Sequence, residues 1–183
     1  CSGAQGLLLQ EAATLLAEHP DYSVAQVCDH LNTTIPATRC WFMVPSLDTL
    51  IHSGRVNKII GKMAQFSGLK PIFSFSPEGK VTLFGKAFHA TSALEKIIHA
   101  VQKHIKAGEI IKHYCIIHAN VPAEAEAFAA MTTAAFRCAP AYIESASPVI
   151  GAHAGPGCVG MAVMFEPSER RPQRRGSRHK ITS

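Results

Sequence analysis

From Gln5 to Glu18 apolar residues fall at positions 8, 9, 12, 15 and 16, a helical spacing that predicts one buried stripe. His19-Pro20-Asp21 stops that helix. Tyr22-Ser23 starts another, in which Ser23 and Gln26 have capping-box spacing and Val24, Val27, Cys28 and Leu31 form the apolar stripe. The pattern then changes period. Cys40-Trp41-Phe42-Met43-Val44 is a short continuous apolar run ended by Pro45, which predicts an inner strand, with Trp41 in the core. Ser46 caps a short helix through Ile51, the Ser53-Gly54-Arg55 turn follows, and Asn57 to Gln65 reads as the next helix.

Leu69 to Phe75 and Lys80 to Phe88 are two strands separated by Ser76-Pro77-Glu78-Gly79, a turn with proline and glycine where an antiparallel hairpin needs them. Thr91-Ser92 opens a long helix to about Lys106, with Leu94, Ile97, Ile98, Val101 and Ile105 on one face and Glu95, Lys96, Gln102 and Lys103 towards water. Lys112 to His118 is a further strand, and Pro122 opens an alanine-rich helix to Ala135. Tyr142-Ile143, Val149-Ile150 and Val159 to Phe165 supply the remaining strand material. Hairpin strands alternating with covering helices predict an α/β fold, a two-layer α/β sandwich with a mixed sheet.

One connection carries candidate chemistry. Gly151-Ala152-His153-Ala154-Gly155-Pro156-Gly157 joins the apolar run Pro148-Val149-Ile150 to the run Val159 to Phe165. Three glycines around one histidine point to a sheet edge where backbone comes close to a ligand, with the histidine as donor. The plainer reading is an ordinary turn with a histidine that only stabilises it.

Other stretches match a known series. Leu47-Asp48-Thr49-Leu50-Ile51-His52-Ser53-Gly54-Arg55-Val56, then Ser67-Gly68-Leu69-Lys70-Pro71-Ile72-Phe73, then Glu78-Gly79-Lys80-Val81 resemble the L-x-x-G-G-R-I, I-K-P-I and D-G segments of the DegV family, in that family's order. Ser2-Gly3-Ala4-Gln5-Gly6-Leu7-Leu8 resembles its segment just after the central Asp-Ser strand. With the histidine loop, the resemblance reaches to about Phe165. It implies a DegV-like C-terminal domain over residues 1–166, with 1–20 a helix linking to an N-terminal domain. The family's early Asp-Ser, Thr-Ser and Ser-Gly-Thr motifs have no counterpart in this sequence, so a missing N-terminal domain is expected.

The resemblance implies a non-enzymatic, cytoplasmic lipid-binding protein. It would hold a long-chain fatty acid between two domains, with no other cofactor, and present the carboxylate to a partner fatty-acid kinase subunit for phospholipid synthesis. Arg55 sits at the family's Gly-Arg arginine and His153 at its Gly-x-His histidine. Ser53 and Gly155 complete the implied headgroup site, while Ala154 stands where members often carry a small hydroxyl residue. The chemistry agrees: a carboxylate bound away from water needs charge-assisted donors, and a guanidinium beside a helix start favours an anion. The alternatives are a surface ion pair for Arg55 and a turn hydrogen bond for His153. For the acyl tunnel the candidates are Phe66, Leu69, Ile72, Phe73, Phe75, Leu83 and Phe84, although strand alternation sends half of them into ordinary core. Without the first domain, we expect self-association through the hairpin face around Phe73 and Phe84, or pairing with a separate N-terminal piece.

Composition narrows the alternatives. No apolar run approaches the ~20 residues that span a bilayer. Six cysteines, at 1, 28, 40, 115, 138 and 158, form no Cys-x-x-Cys pair, and four lie in apolar segments, as small buried hydrophobes in a reducing cytosol do. His113 and Cys115 alternate to one side of a strand and His118 to the other, so no zinc site is expected there. A second function class is a His/Cys-dependent hydrolase or transferase in which His153 activates Cys158 or a serine. No Gly-x-Ser-x-Gly elbow and no acidic partner for the histidine support it. A third is a nucleic-acid or membrane-surface module acting through the arginine-rich end, with no sequence specificity for nucleic acid expected.

The formal charge of +5 divides unevenly. From Glu166 onward five arginines and one lysine stand against two glutamates, a net of +4 that leaves +1 on the residues before them. Residues 167–183 have almost nothing apolar to bury and read as a basic disordered tail. Deleting Arg170 to Ser183 is expected to move the isoelectric point towards neutrality, as isoelectric focusing would record, and to leave the melting temperature unchanged. A fall of several degrees would show that the tail docks on the fold.

Overall fold

The computed structural model describes residues 2–47, 51, 68–76 and 78–166. In chain order the elements are α1 (Ser2–Glu18), α2 (Val24–Thr34), a 3₁₀ turn (Ile35–Ala37), β1 (Thr38–Met43), β2 (Lys70–Phe75), β3 (Val81–Ala87), α3 (Ala90–Lys106), β4 (Ile111–His118), α4 (Pro122–Phe136), β5 (Tyr142–Ser145), α5 (Pro148–Ala154) and β6 (Val159–Phe165). The six strands form one sheet in the order β3-β2-β1-β6-β4-β5. Only β4 and β5 pair in parallel, with α4 as the crossover, and the other neighbours are antiparallel. The expected mixed sheet, its hairpin and the inner position of β1 are all present.

β6 is buried at all seven positions, so each of its faces must be covered. Val159, Met161, Val163 and Phe165 face the main core, where Leu94, Ile97 and Val101 of α3 and Phe128 of α4 pack on Trp41, Ile72, Tyr114 and Ile116. This packing of helices on the mixed sheet is the predicted α/β sandwich, to which α1 adds cover on the other face. The opposite face of β6 carries Gly160, Ala162 and Met164. There α1 lies on the sheet, with Leu7 against Cys40, Cys115, Ala162 and Met164. Gly3 makes that approach possible: a Cβ on it would lie 2.9 Å from Ile117 Cγ1 and 3.1 Å from Cys115 Sγ. The Tyr142 hydroxyl donates to the Gly3 carbonyl at 3.2 Å.

Polar bonds join α1, α2 and β4. Glu11, 4% exposed, accepts at one oxygen from Lys112 Nζ and meets His30 Nε2, both at 2.7 Å. Burial alone would raise the Glu11 carboxyl, but the bonds from Lys112 and His30 outweigh it and hold the group below its ordinary 4.5. α2 has the expected cap: Ser23 Oγ accepts from the Gln26 amide and the Gln26 side chain accepts from the Ser23 amide.

Several expectations need correction. Pro148 to Ile150 is the first turn of α5 and not a strand, because Ser147 Oγ accepts from the Ile150 amide at 3.4 Å and Pro148 occupies the first helical position. His89, not Thr91 or Ser92, precedes α3 as its N-cap residue, without a side-chain cap bond. Cys40, Cys115 and Cys158 are buried, but Cys28 and Cys138 are exposed. Phe73 and Phe84 do not share a face. The pairing slips between Ile72 and Phe73, so that Phe73 faces Leu83 across the ladder; Phe84, 46% exposed, turns its ring to Trp41 on the main-core side with centroids 6.3 Å apart. The helices expected at Ser46–Ile51 and Asn57–Gln65, and the turn at Ser53–Arg55, lie outside the described residues apart from a bond from the Ile51 amide to the Leu47 carbonyl at 2.9 Å.

Glu11→Gln is expected to cost about 1.5–3 kcal/mol, the range for hydrogen bonds to a charged group. Because the folded carboxyl is depressed, the contribution is complete above the ordinary value of 4.5 and is lost as pH falls through the lower folded value. Melting curves of both chains should therefore differ at neutral pH and converge in acid; a gap independent of pH would show that the ion pairs do not supply the difference.

Candidate functional site: an apolar groove with two histidines

α1 covers the sheet at the Met164 end of β6, and Ala154 of α5 packs at the Cys158 end with Val44, Leu47, Phe73 and Ala119. Between them the sheet face stays low, because β6 presents only Gly160 and Ala162 there. The result is a cavity of about 270 Å³, near the lower end of the ~300–1,000 Å³ typical of small-molecule sites. Its floor is Cys40, Phe42, Phe75, Ile117, Gly160 and Ala162; Gly3 borders it from α1, and Ile150, His153 and Ala154 from α5. Gly160 is required: a Cβ there would lie 2.8 Å from Phe42 Cβ and 3.1 Å from the Trp41 carbonyl oxygen.

The loop that brings His153 to this wall is tied to the end of β4. Gly157 donates to the Ala119 carbonyl and Ala119 to the Cys158 carbonyl, both at 2.8 Å, while Cys158 donates to Gly155 at 3.4 Å. Gly155 and Gly157 have φ of 82° and 87°, a region that favours glycine. Gly157 also packs on Pro45, whose carbonyl accepts from Lys70 Nζ at 2.9 Å. Lys70 of the Lys-Pro-Ile segment is thus a brace between strands.

The polar groups in the cavity are few. Among the described residues, its side-chain lining carries two histidines and no serine, threonine, lysine, arginine, aspartate or glutamate. His153 Nδ1 is enclosed and has no hydrogen-bond partner among the described residues. The second histidine is His118, at the end of β4. Burial pushes the thiols of Cys40 and Cys158 up to about 12, so both remain neutral at physiological pH.

Of the headgroup candidates, His153 lines the cavity. Gly155 lies in the loop, but its amide is committed to the Gly151 carbonyl at 2.8 Å, so it shapes the turn and is no free donor. Gly151 lies inside α5 with open space around it, which removes one of the three glycines from the argument for close approach. Arg55 and Ser53 lie outside the described residues, as does Phe66 of the tunnel set. Phe75 lines the cavity. Phe73 is buried behind Phe42, with ring centroids 5.6 Å apart, and Leu69 is buried without reaching the cavity. Ile72 belongs to the main core and Phe84 turns to the same side; Leu83 is 38% exposed and does not line the cavity. The floor residues missed in the sequence are alternate positions on the buried strands β1 and β6, together with Ile117 of β4. The adjacent small pair Gly160 and Ala162 was their one visible signal.

Comparison with known proteins places this architecture. The sequence model of the DegV family, described as uncharacterised protein, matches residues 1–166. A DegV domain-containing protein of Listeria monocytogenes is 31% identical over 159 residues, 86% of this chain and 54% of that protein. The crystal structure of DegV from Bacillus subtilis, titled a fatty acid binding protein, superposes with a TM-score of 0.74 at 25% identity, over 89% of this chain and 57% of that one. The Streptococcus pneumoniae Fatty Acid Kinase (Fak) B3 protein, loaded with linoleic acid, superposes at 0.77 with 19% identity, over 90% and 57% of the two chains. The chain spans little more than half the length of these relatives. With nine-tenths of its residues inside the family match and the same fold along that length, this chain belongs to the DegV family.

Proposed function

We propose that this chain forms one wall of a fatty-acid site, with the acyl chain on the floor of the groove and the carboxylate directed to His153. The observation that carries this reading is the pairing of an apolar cavity with an enclosed imidazole nitrogen that has no partner among the described residues. An aliphatic chain gains ~0.8 kcal/mol per methylene buried on such a floor. A buried nitrogen without a partner costs free energy until a ligand supplies one. That relatives of the same fold are named for fatty-acid binding supports it.

In this reading the resemblance assigns Arg55 and Ser53 to the carboxylate as well, and an N-terminal domain such as the resemblance implies supplies the facing wall. The protein is a carrier acting in the cytoplasm, and a partner kinase receives the exposed carboxylate; the name of the pneumococcal relative supports that last step. A Cys158 nucleophile is disfavoured because burial keeps its thiol protonated. No helix of the described residues is long and apolar enough to cross a membrane.

Native mass spectrometry after incubation with palmitate tests the reading, with one bound fatty acid per chain as the expected increment. With the facing N-terminal domain supplied, His153→Ala and Arg55→Ala should each weaken palmitate binding by about 1.5–3 kcal/mol, the worth of a hydrogen bond to a charged group, with the fold retained. Titration curves unchanged in both variants would dismiss the headgroup assignment.

A further inference from the structure

His118 has no role in the reading above, yet it is the second imidazole of the same cavity. It is only 7% exposed. The backbone amide of Val121 lies 3.3 Å from its Nδ1. An amide nitrogen can only donate, so Nδ1 is the acceptor and the neutral ring carries its proton on Nε2. Among the described residues the ring's hydrogen bond is the one at Nδ1, which leaves the Nε2 proton for whatever occupies the cavity.

The two imidazoles sit on segments that are bonded to each other. Ala119, directly after His118, exchanges bonds with Gly157 and Cys158 at 2.8 Å, and the amide of Ala146 donates to the His118 carbonyl at 2.7 Å. The β4 end and the loop after His153 therefore hold one fixed relation. The cavity they share is otherwise apolar in its described lining. The Nε2 proton of His118 and the enclosed Nδ1 of His153 at one apolar cavity suit a carboxylate, with two charged acceptor oxygens, better than an ester, whose one good acceptor is its carbonyl, or an alcohol.

We propose that His118 is a second headgroup residue, donating its Nε2 proton to the carboxylate of the fatty acid and so selecting the free acid over its neutral esters. This rests on the fatty-acid reading. The competing role is structural, with His118 only bracing the turn before α4 through Val121.

The two roles separate by substitution. His118→Asn keeps an acceptor near the Nδ1 position and removes the Nε2 donor; His118→Gln places a carboxamide N–H towards the Nε2 position. Affinities of the chain for palmitate and for methyl palmitate are measured for the parent and both variants, with thermal melts alongside. The parent is expected to prefer palmitate, the Asn variant to lose about tenfold for palmitate with its ester affinity unchanged, and the Gln variant to recover most of that loss. Palmitate affinity unchanged in the Asn variant, or equal losses for acid and ester, would overturn the proposal and leave His118 a brace. If the Asn variant does not fold, the Gln variant decides: retained preference for the acid supports the assignment and lost preference overturns it. A parent that binds neither ligand, alone or with an N-terminal domain supplied, removes the fatty-acid reading itself, and this assignment with it.

Discussion

Everything in this fold depends on β6 having to bury both of its faces. A strand enclosed on two sides cannot use the usual alternation of apolar and polar residues. It alternates by size over most of its length, with Val159, Met161, Val163 and Phe165 towards α3 and α4 and Gly160 and Ala162 on the other side, where Met164 alone is large and lies under α1. The large set builds the core that holds the sheet. The small set leaves space over the sheet centre that neither α1 nor α5 fills, and this space is the cavity. Stability and a binding surface thus come from the two faces of one seven-residue segment.

The architecture was largely legible in the sequence because its signals are local. The capping box at Ser23 and Gln26, the hairpin turn, the stripe on α3 and the proline that opens α4 each depend on residues a few positions apart. The misreadings arose where one local signal outweighed another. Val149 and Ile150 have strand propensity, but Ser147 and Pro148 before them start a helix, and a cap with proline at the first helical position settled the outcome.

The site was less legible, since it depends on which face of each strand meets the cavity. Phe73 and Phe75 share a parity on β2, yet only Phe75 lines the groove, while Phe73 is buried in the cluster of Val44, Leu47 and Ala154. Phe84 leaves the set through a one-residue slip in the ladder, which no period-two reading anticipates. His153 was found because glycines mark its loop. His118 was passed over because metal spacing was the only chemistry sought for it, whereas its significance lies in a tautomer fixed by a neighbouring amide.

The thiols of Cys40 and Cys158 have a further consequence. They are kept protonated by burial and border the cavity from β1 and from the start of β6. The S–H stretch absorbs in an infrared window almost free of other protein bands, and its frequency follows the polarity and hydrogen bonding around the sulfur. The protein therefore contains native vibrational reporters at its cavity, able to register what occupies the space without any label being introduced.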